Sequence, residues 1–324
     1  MNGFKKIAKK YNWNRIGVWS AILAGCISTM ICLVVLLISG CTRACSNLSA
    51  PATITDAALR AEYLAIHYWD NFNFSDTTLI HQPEITEQAF VDFIVVLPHV
   101  AKQKATEGIN TLLSKAEKEE TGRMYQHFLE LSEKYLYDPN SPLRNEELYI
   151  PVTQYILQDT RTGETERIRP AHRLNMMLKN RVGEKAGNFT YTLSNGQSKH
   201  LSDIKSEYTL LFFHNPDCAL CREVSLALKT SPIVNNLLGK GTLSLLALYP
   251  DEDLSIWRKH LNDMPQNWIN AYDKGTIISK KELYDLKAMP TLYLLNQEKH
   301  VVLKDVDFAT METWLLNSFP MLPQ

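Results

Sequence analysis

The stretch Phe212-Phe213-His214-Asn215-Pro216-Asp217-Cys218-Ala219-Leu220-Cys221 decides the fold. It completes the run Tyr208–Phe213, an unbroken series of apolar and β-branched residues that reads as a strand covered on both faces. Beyond the cysteines, Glu223–Thr230 reads as a helix, with Pro232 just past its end. The two cysteines therefore stand where a buried strand hands over to a helix. A helix N-terminus presents unpaired N–H groups and a partial positive charge, and both favour a thiolate. Cys218 lies at the open edge and Cys221 about one turn in, so the first can attack a disulfide and the second can resolve the product.

Downstream, Leu243–Leu248 is a second buried strand, followed by a helix carrying Leu254, Trp257 and Leu261. Thr291–Leu295 and His300–Leu303 read as strands about a polar turn, and Thr310–Phe319 as a closing helix. Upstream, Phe189–Leu193 and Lys199–Leu201 flank Ser194-Asn195-Gly196 and predict a β-hairpin. Strand and helix in alternation, then a hairpin and a helix, predict an α/β domain over 183–324 with a mixed sheet flanked by helices.

Residues 55–180 read as a separate, mostly α-helical domain. Thr55 or Asp56 can cap a helix with Leu59, Tyr63, Ile66 and Trp69 on one face. Thr86 opens a second, carrying Phe90, Phe93, Ile94 and Leu97, and a third spans Glu119–Tyr137 until Pro139 and Pro142 stop it. Shorter helices are expected at Glu146–Leu157 and Ala171–Asn180. Two domains suit a chain of 324 residues. A net charge of -1 gives no electrostatic case for a nucleic-acid partner.

The six cysteines are unevenly placed: Cys26, Cys32, Cys41 and Cys45 fall in or just after an N-terminal apolar segment. Lys5, Lys6, Lys9, Lys10 and Arg15 precede an uncharged run from Ile16 to Gly40, the arrangement of an export signal. Ile38-Ser39-Gly40-Cys41 resembles the bacterial lipobox, which implies a signal peptide over 1–40, cleavage, lipidation of Cys41 and a polar tether over 41–54. An uncleaved signal anchor is the alternative, because the apolar run is long enough to span a bilayer. Either places the body outside the cytoplasm, in the periplasm of a bacterial envelope, where disulfide chemistry is possible.

With Met289-Pro290-Thr291 standing before a strand, the Cys-x-x-Cys segment resembles the thioredoxin superfamily, in particular the TlpA/ResA-type envelope thioredoxins. The resemblance covers about Gly183–Phe319. It implies a cis Pro290 facing the cysteines, a substrate-docking strand at Met289, Pro290 and Thr291, and a thiol–disulfide oxidoreductase acting on protein or small thiol and disulfide substrates. It implies no cofactor and no metal, and it does not name the electron donor. Residues 55–180 resemble a domain of unknown function that precedes such domains in some envelope lipoproteins, on Tyr68-Trp69-Asp70-Asn71-Phe72 and Glu84–Phe90.

Two residues and one spacing depart from the superfamily pattern. Asp217 stands where tryptophan is usual, and its carboxylate opposes thiolate formation at Cys218. Phe212 occupies the position of a buried aspartate, and Glu223 is the candidate substitute acceptor. The separation of Cys218 from Pro290 implies an insertion around Asp251–Asp285. His214 can stabilise the thiolate, join the cysteines in a copper-type site, or simply end a buried strand. For the cysteine pair itself, a structural disulfide or a metal half-site remain alternatives, although no second Cys-x-x-Cys or His-x-x-x-His exists to complete a zinc site. A non-enzymatic lipoprotein, its helical domain binding a partner and its α/β domain a scaffold, is the rival function.

Overall fold

The computed structural model describes residues 50–160 and 162–320; the N-terminal apolar segment, Cys41 and Cys45 lie outside them. Among the described residues no helix is long and apolar enough to cross a membrane. The chain divides into two compact units between Thr111 and Leu112.

In the first unit, Asp56 caps α1 (Ala57–His67) by accepting the N–H of Leu59 at 2.9 Å. α1 is followed by α2 (Thr86–Val96) and by α3 (Lys102–Ala116), whose last turns belong to the second unit. Trp69 lies just past α1 and is wholly buried, its ring 5.4 Å from Phe72 and 5.5 Å from Phe93 in edge-on contacts. Leu59, expected on the buried face, is 57% exposed, and the buried residue of α1 is Ala65. Gly108 lies against α1 so closely that a Cβ there would collide with the Ala65 carbonyl oxygen, so this crossing requires glycine. The sequence reading lacked α3, although Ala105, Ile109, Leu112, Leu113 and Ala116 recur at helical spacing and are buried.

The second unit opens with α4 (Arg123–Ser132), which starts after Gly122 in the left-handed region and passes into a π-turn at Glu133–Tyr137. The single helix expected over Glu119–Tyr137 is thus shorter and ends in a widened turn. α5 (Glu146–Gln158) and α6 (Glu164–Met177) follow. α6 begins well before the expected Ala171, because Pro170 sits inside the helix rather than at its head. A proline there loses one backbone bond, which is why a sequence reading starts the helix after it.

The sheet comprises β1 (Thr190–Leu193), β2 (Ser198–His200), β3 (Tyr208–Phe213), β4 (Leu243–Tyr249), β5 (Ile269–Tyr272), β6 (Thr291–Asn296) and β7 (Val301–Lys304). Their order is β2-β1-β5-β4-β3-β6-β7, with β3, β4 and β5 parallel and the outer pairings antiparallel. Helices α7 (Ala219–Thr230), α8 (Pro232–Gly239), α9 (Leu254–Lys259), α10 (Ile277–Lys280) and α11 (Phe308–Ser318) complete it. The expected mixed sheet flanked by helices, preceded by a helical region, is present.

β3 earns its apolar run by having two buried faces. Leu211 and Phe213 join Phe189, Tyr191, Tyr284 and Tyr293 on one side. Leu210 and Phe212 join Leu228, Ile233, Leu237 and Leu315, from α7, α8 and α11, on the other. In the α/β region α8, β5 and α10 escaped the sequence reading. Pro232, taken there as a stop, is the first residue of α8, and Ser231 caps that helix by accepting the Val234 N–H at 3.3 Å. Asp251–Asp285, expected as an insertion, contributes β5, which bridges β4 and β1 and is integral to the sheet.

At the β7 edge the connecting segment runs alongside the strand. Gly183 N–H donates to the Val301 carbonyl at 2.8 Å, Val301 N–H to Glu184 at 2.9 Å, and Ala186 N–H to Lys299 at 2.8 Å. Lys304 Nζ reaches the carbonyls of Met177 and Lys179, each at 2.8 Å. The opposite edge is β2, short and exposed at all of its residues.

Candidate functional site

The loop from His214 to Asp217 carries the chain from the end of β3 to the head of α7. Cys218 is the N-cap of α7, with extended backbone, and its sulfur accepts the Cys221 N–H at 3.4 Å. An N-cap side chain that accepts from the helix's first turn is the role usually filled by serine or aspartate. Here a sulfur fills it, bringing that sulfur into the field of the helix N-terminus. Cys218 is half-buried and Cys221 buried, and both are free thiols. Burial pushes the Cys221 thiol up to about 12; the Asn215 N–H, 3.5 Å from its sulfur, works against this, while Cys218 and Asp251 add to it. The pair is therefore unequal: one sulfur accessible at a helix cap, the other protonated within the first turn.

The Met289–Pro290 peptide is cis, as the resemblance implies. The Cys218 thiol points at the Met289 carbonyl, 3.8 Å away. Thr291 opens β6 opposite Phe213 of β3, which sets this segment beside the cysteine loop. Thr291 is buried, and its hydroxyl donates to the Ala288 carbonyl at 2.7 Å. Sequence reasoning thus named five residues that the fold brings together: Cys218, Cys221, Met289, Pro290 and Thr291.

The possible modulators fare differently. His214 is buried, and its ring stacks on Phe212 at 4.6 Å and 9°. Burial, with Lys229 and His260 adding to it, lowers its pKa to about 3, so the ring is neutral and offers no positive charge to a thiolate. Alternation along the strand turns it to the Phe212 face, and no group of three or more His, Cys, Asp or Glu side chains poised for a metal occurs among the described residues. Of the three readings of His214, the polar end of a buried strand is the one its surroundings fit. Glu223 lies on the exposed face of α7. Two residues beyond Cys221 on a helix, it does not face that thiol and cannot replace a buried acceptor. Asp217 is half-exposed beside Cys218, as expected.

The residues that hold the loop were not singled out from sequence. Asn215 is its pivot: its side-chain oxygen accepts the Asp217 N–H at 2.9 Å, its amide donates to Asp251 at 2.8 Å, and its carbonyl accepts the Cys218 N–H at 3.0 Å. Arg222 donates to the carbonyls of Asp217 at 2.8 Å and Pro216 at 3.2 Å. His260 Nε2 lies 3.3 Å from Asp217 Oδ1. Asp251 follows β4, the parallel neighbour of β3, and loops after the C-terminal ends of adjacent parallel strands lie side by side. That rule was the available signal.

A second cluster supports the segment before Met289. Lys287 Nζ contacts Glu146 at 2.5 Å and Asp285 at 3.0 Å, and lies 4.5 Å from the centre of the Tyr137 ring. Lys304 reaches the other Glu146 oxygen at 2.9 Å, and Arg144 pairs with Asp305 at 2.8 Å. The first residue of α5 thus ties down the chain just before Met289. Burial opposes ionisation of Glu146, but Lys304 and Lys287 outweigh it and hold the carboxyl below its ordinary value.

Residues 38–180 match the family model described as "Domain of unknown function (DUF5106)", which bears out the resemblance seen in the helical region. No curated protein matches the chain. Among solved structures, the C-terminal domain of an uncharacterized protein from Bacteroides fragilis is 48% identical, covers 42% of this chain and 97% of its own, and has a TM-score of 0.41. A domain of a possible thiol-disulfide isomerase from Cytophaga hutchinsonii is 24% identical over 44% of this chain and 95% of its own, with a TM-score of 0.38. A thioredoxin-like protein from Bacteroides caccae is 47% identical, covers 83% of this chain and 96% of its own, and superposes with a TM-score of 0.79. That match runs through both the helical region and the α/β region, and this chain belongs with it to the thioredoxin-like family.

Proposed function

We propose that the chain is a membrane-tethered thiol–disulfide oxidoreductase of the bacterial envelope, acting on disulfides of proteins or small thiols. The observation that carries this reading is the unequal pair: Cys218 accessible at the cap of α7, Cys221 buried one turn in. The Cys218 thiolate attacks one sulfur of a substrate disulfide, forming a mixed disulfide and expelling the other sulfur as a thiolate. Cys221 then attacks Cys218 Sγ, its proton passing to the leaving substrate sulfur. The substrate gains two electrons, its first-expelled thiolate takes a proton from solvent so that both sulfurs end as thiols, and Cys218–Cys221 becomes the disulfide. An upstream thiol donor returns it to the reduced state.

Met289, Pro290 and Thr291 dock an extended substrate segment beside Cys218 in this reading. Tethering rests on the basic N-terminus and the Ile38–Cys41 motif, with Cys41 lipidated and the body in the periplasm. The test is turnover. Purified protein with dithiothreitol as donor reduces insulin disulfides, and Cys218→Ser removes that activity. Wild-type protein no faster than dithiothreitol alone would overturn the reading in favour of a scaffold role.

A further inference from the structure

Asp217 is an awkward neighbour for a nucleophilic thiol. A carboxylate adjoining Cys218 repels a thiolate, against the pull of the helix N-terminus. The fold supplies a counterweight from another element. His260, the C-cap just past α9, has both ring nitrogens against carboxylates: Nδ1 lies 2.7 Å from Asp263 Oδ2, and Nε2 lies 3.3 Å from Asp217 Oδ1. The Nε2 contact lacks hydrogen-bond alignment, so it acts through charge. The His260 side chain is 21% exposed, less open to screening than a surface pair.

A neutral imidazole donates from one nitrogen and presents a lone pair at the other. With a carboxylate facing each nitrogen, only the imidazolium suits both. We infer that His260 is a positioning residue for Cys218: when charged it neutralises the Asp217 carboxylate, and so sets the pH at which Cys218 becomes a thiolate. The inference rests on Cys218 being the attacking thiol.

The other charged groups around His260 do not displace this balance. Lys229 of α7 donates from Nζ to the Asp263 backbone carbonyl at 2.8 Å. His214, at the end of β3, is neutral through burial and contributes no charge. Arg258 and Lys259, in the last turn of α9, are exposed. These cations oppose a charged imidazole, but the two carboxylates are in direct contact with it, and Coulomb interactions weaken with distance and solvent.

The experiment measures iodoacetamide alkylation of Cys218 in the full-length chain across a pH series, followed by mass of the Cys218 peptide. Loss of one nearby unit charge through solvent-like surroundings changes the thiolate fraction about threefold. His260→Gln therefore moves the midpoint of the alkylation profile up by about half a pH unit, whereas Asp217→Asn moves it down. His260→Gln added to Asp217→Asn produces a smaller further movement, because without the Asp217 carboxylate the imidazole loses one of the two partners that favour its charge. Asp217 is half-exposed, so Asp217→Asn keeps the fold and serves as the background against which the coupling is read. An unmoved midpoint in His260→Gln, or an equal movement with and without Asp217, overturns the inference. Alkylation is independent of turnover: an inactive protein with the coupled shift overturns the oxidoreductase reading alone.

Discussion

The sulfur of Cys218 receives the backbone N–H of Cys221 at 3.4 Å, so the two cysteines are linked through the first turn of the helix while both are thiols. The link is directional. The sulfur that caps the helix is the one left half-exposed, and the residue supplying the N–H keeps its own sulfur buried. In the proposed reaction, attack and resolution would then fall to different residues.

Cys221→Ser accordingly accumulates mixed disulfides with envelope proteins, since nothing remains to displace the substrate from Cys218. Cys218→Ser traps little. Non-reducing gels, with trapped partners identified by mass, read the difference; equal trapping by both variants would reverse or abolish the assigned roles.

The same asymmetry appears without any substrate. With burial holding Cys221 up at about 12, iodoacetamide at neutral pH modifies Cys218 while sparing Cys221 by at least about tenfold. Peptide mapping after a short exposure checks this, and comparable labelling of both cysteines would contradict it.

Glu146 ties α5 to Lys287 and Lys304, whose side chains are only 14% and 10% exposed. Glu146→Gln leaves both cations poorly compensated, and a loss of about 3 kcal/mol in unfolding free energy is expected. Because the Glu146 carboxyl is held below its ordinary value, its contribution is full above the unfolded pKa and disappears as pH falls through the folded one. The variant therefore loses more stability at neutral pH than at strongly acidic pH. Urea titrations at the two pH values test this, and a penalty independent of pH counts against the ionic account.

Under the proposed tethering, in which a thioether forms on the Cys41 sulfur, Cys41→Ala is expected to abolish metabolic labelling with a fatty acid and halt signal-peptide removal. Labelling and mobility unchanged from wild type favour an uncleaved anchor.

How far the sequence disclosed all this depends on the kind of signal each element carries. β3 was legible because a strand buried on two faces must be apolar throughout, and the cysteines were legible because their spacing is a motif. α8 was hidden because Ser231-Pro232 serves equally to end one helix and to start the next. β5 was hidden because Ile269-Asn270-Ala271-Tyr272 is short and lacks a continuous apolar run; its place comes from pairing with β4 and β1. Asn215, Arg222 and His260 act through loop carbonyls and charge contacts, which only three-dimensional neighbours reveal.

The strap of residues 183–186 along β7 has a bearing on life at high local density. A sheet's outermost strand carries unpaired N–H and C=O groups that can template pairing with another copy. Here the chain's own connecting segment satisfies part of β7, and Lys304 turns its amine onto the end of α6. The remaining border, β2, is only Ser198-Lys199-His200, too short and too polar to recruit a neighbour. Were the chain tethered to a membrane as proposed, it would meet its own copies constantly, and a sheet closed off in this way has little with which to zip onto them. The segment that joins the helical and α/β regions thus doubles as insulation, and cutting the chain beyond Ala186 would strip it off.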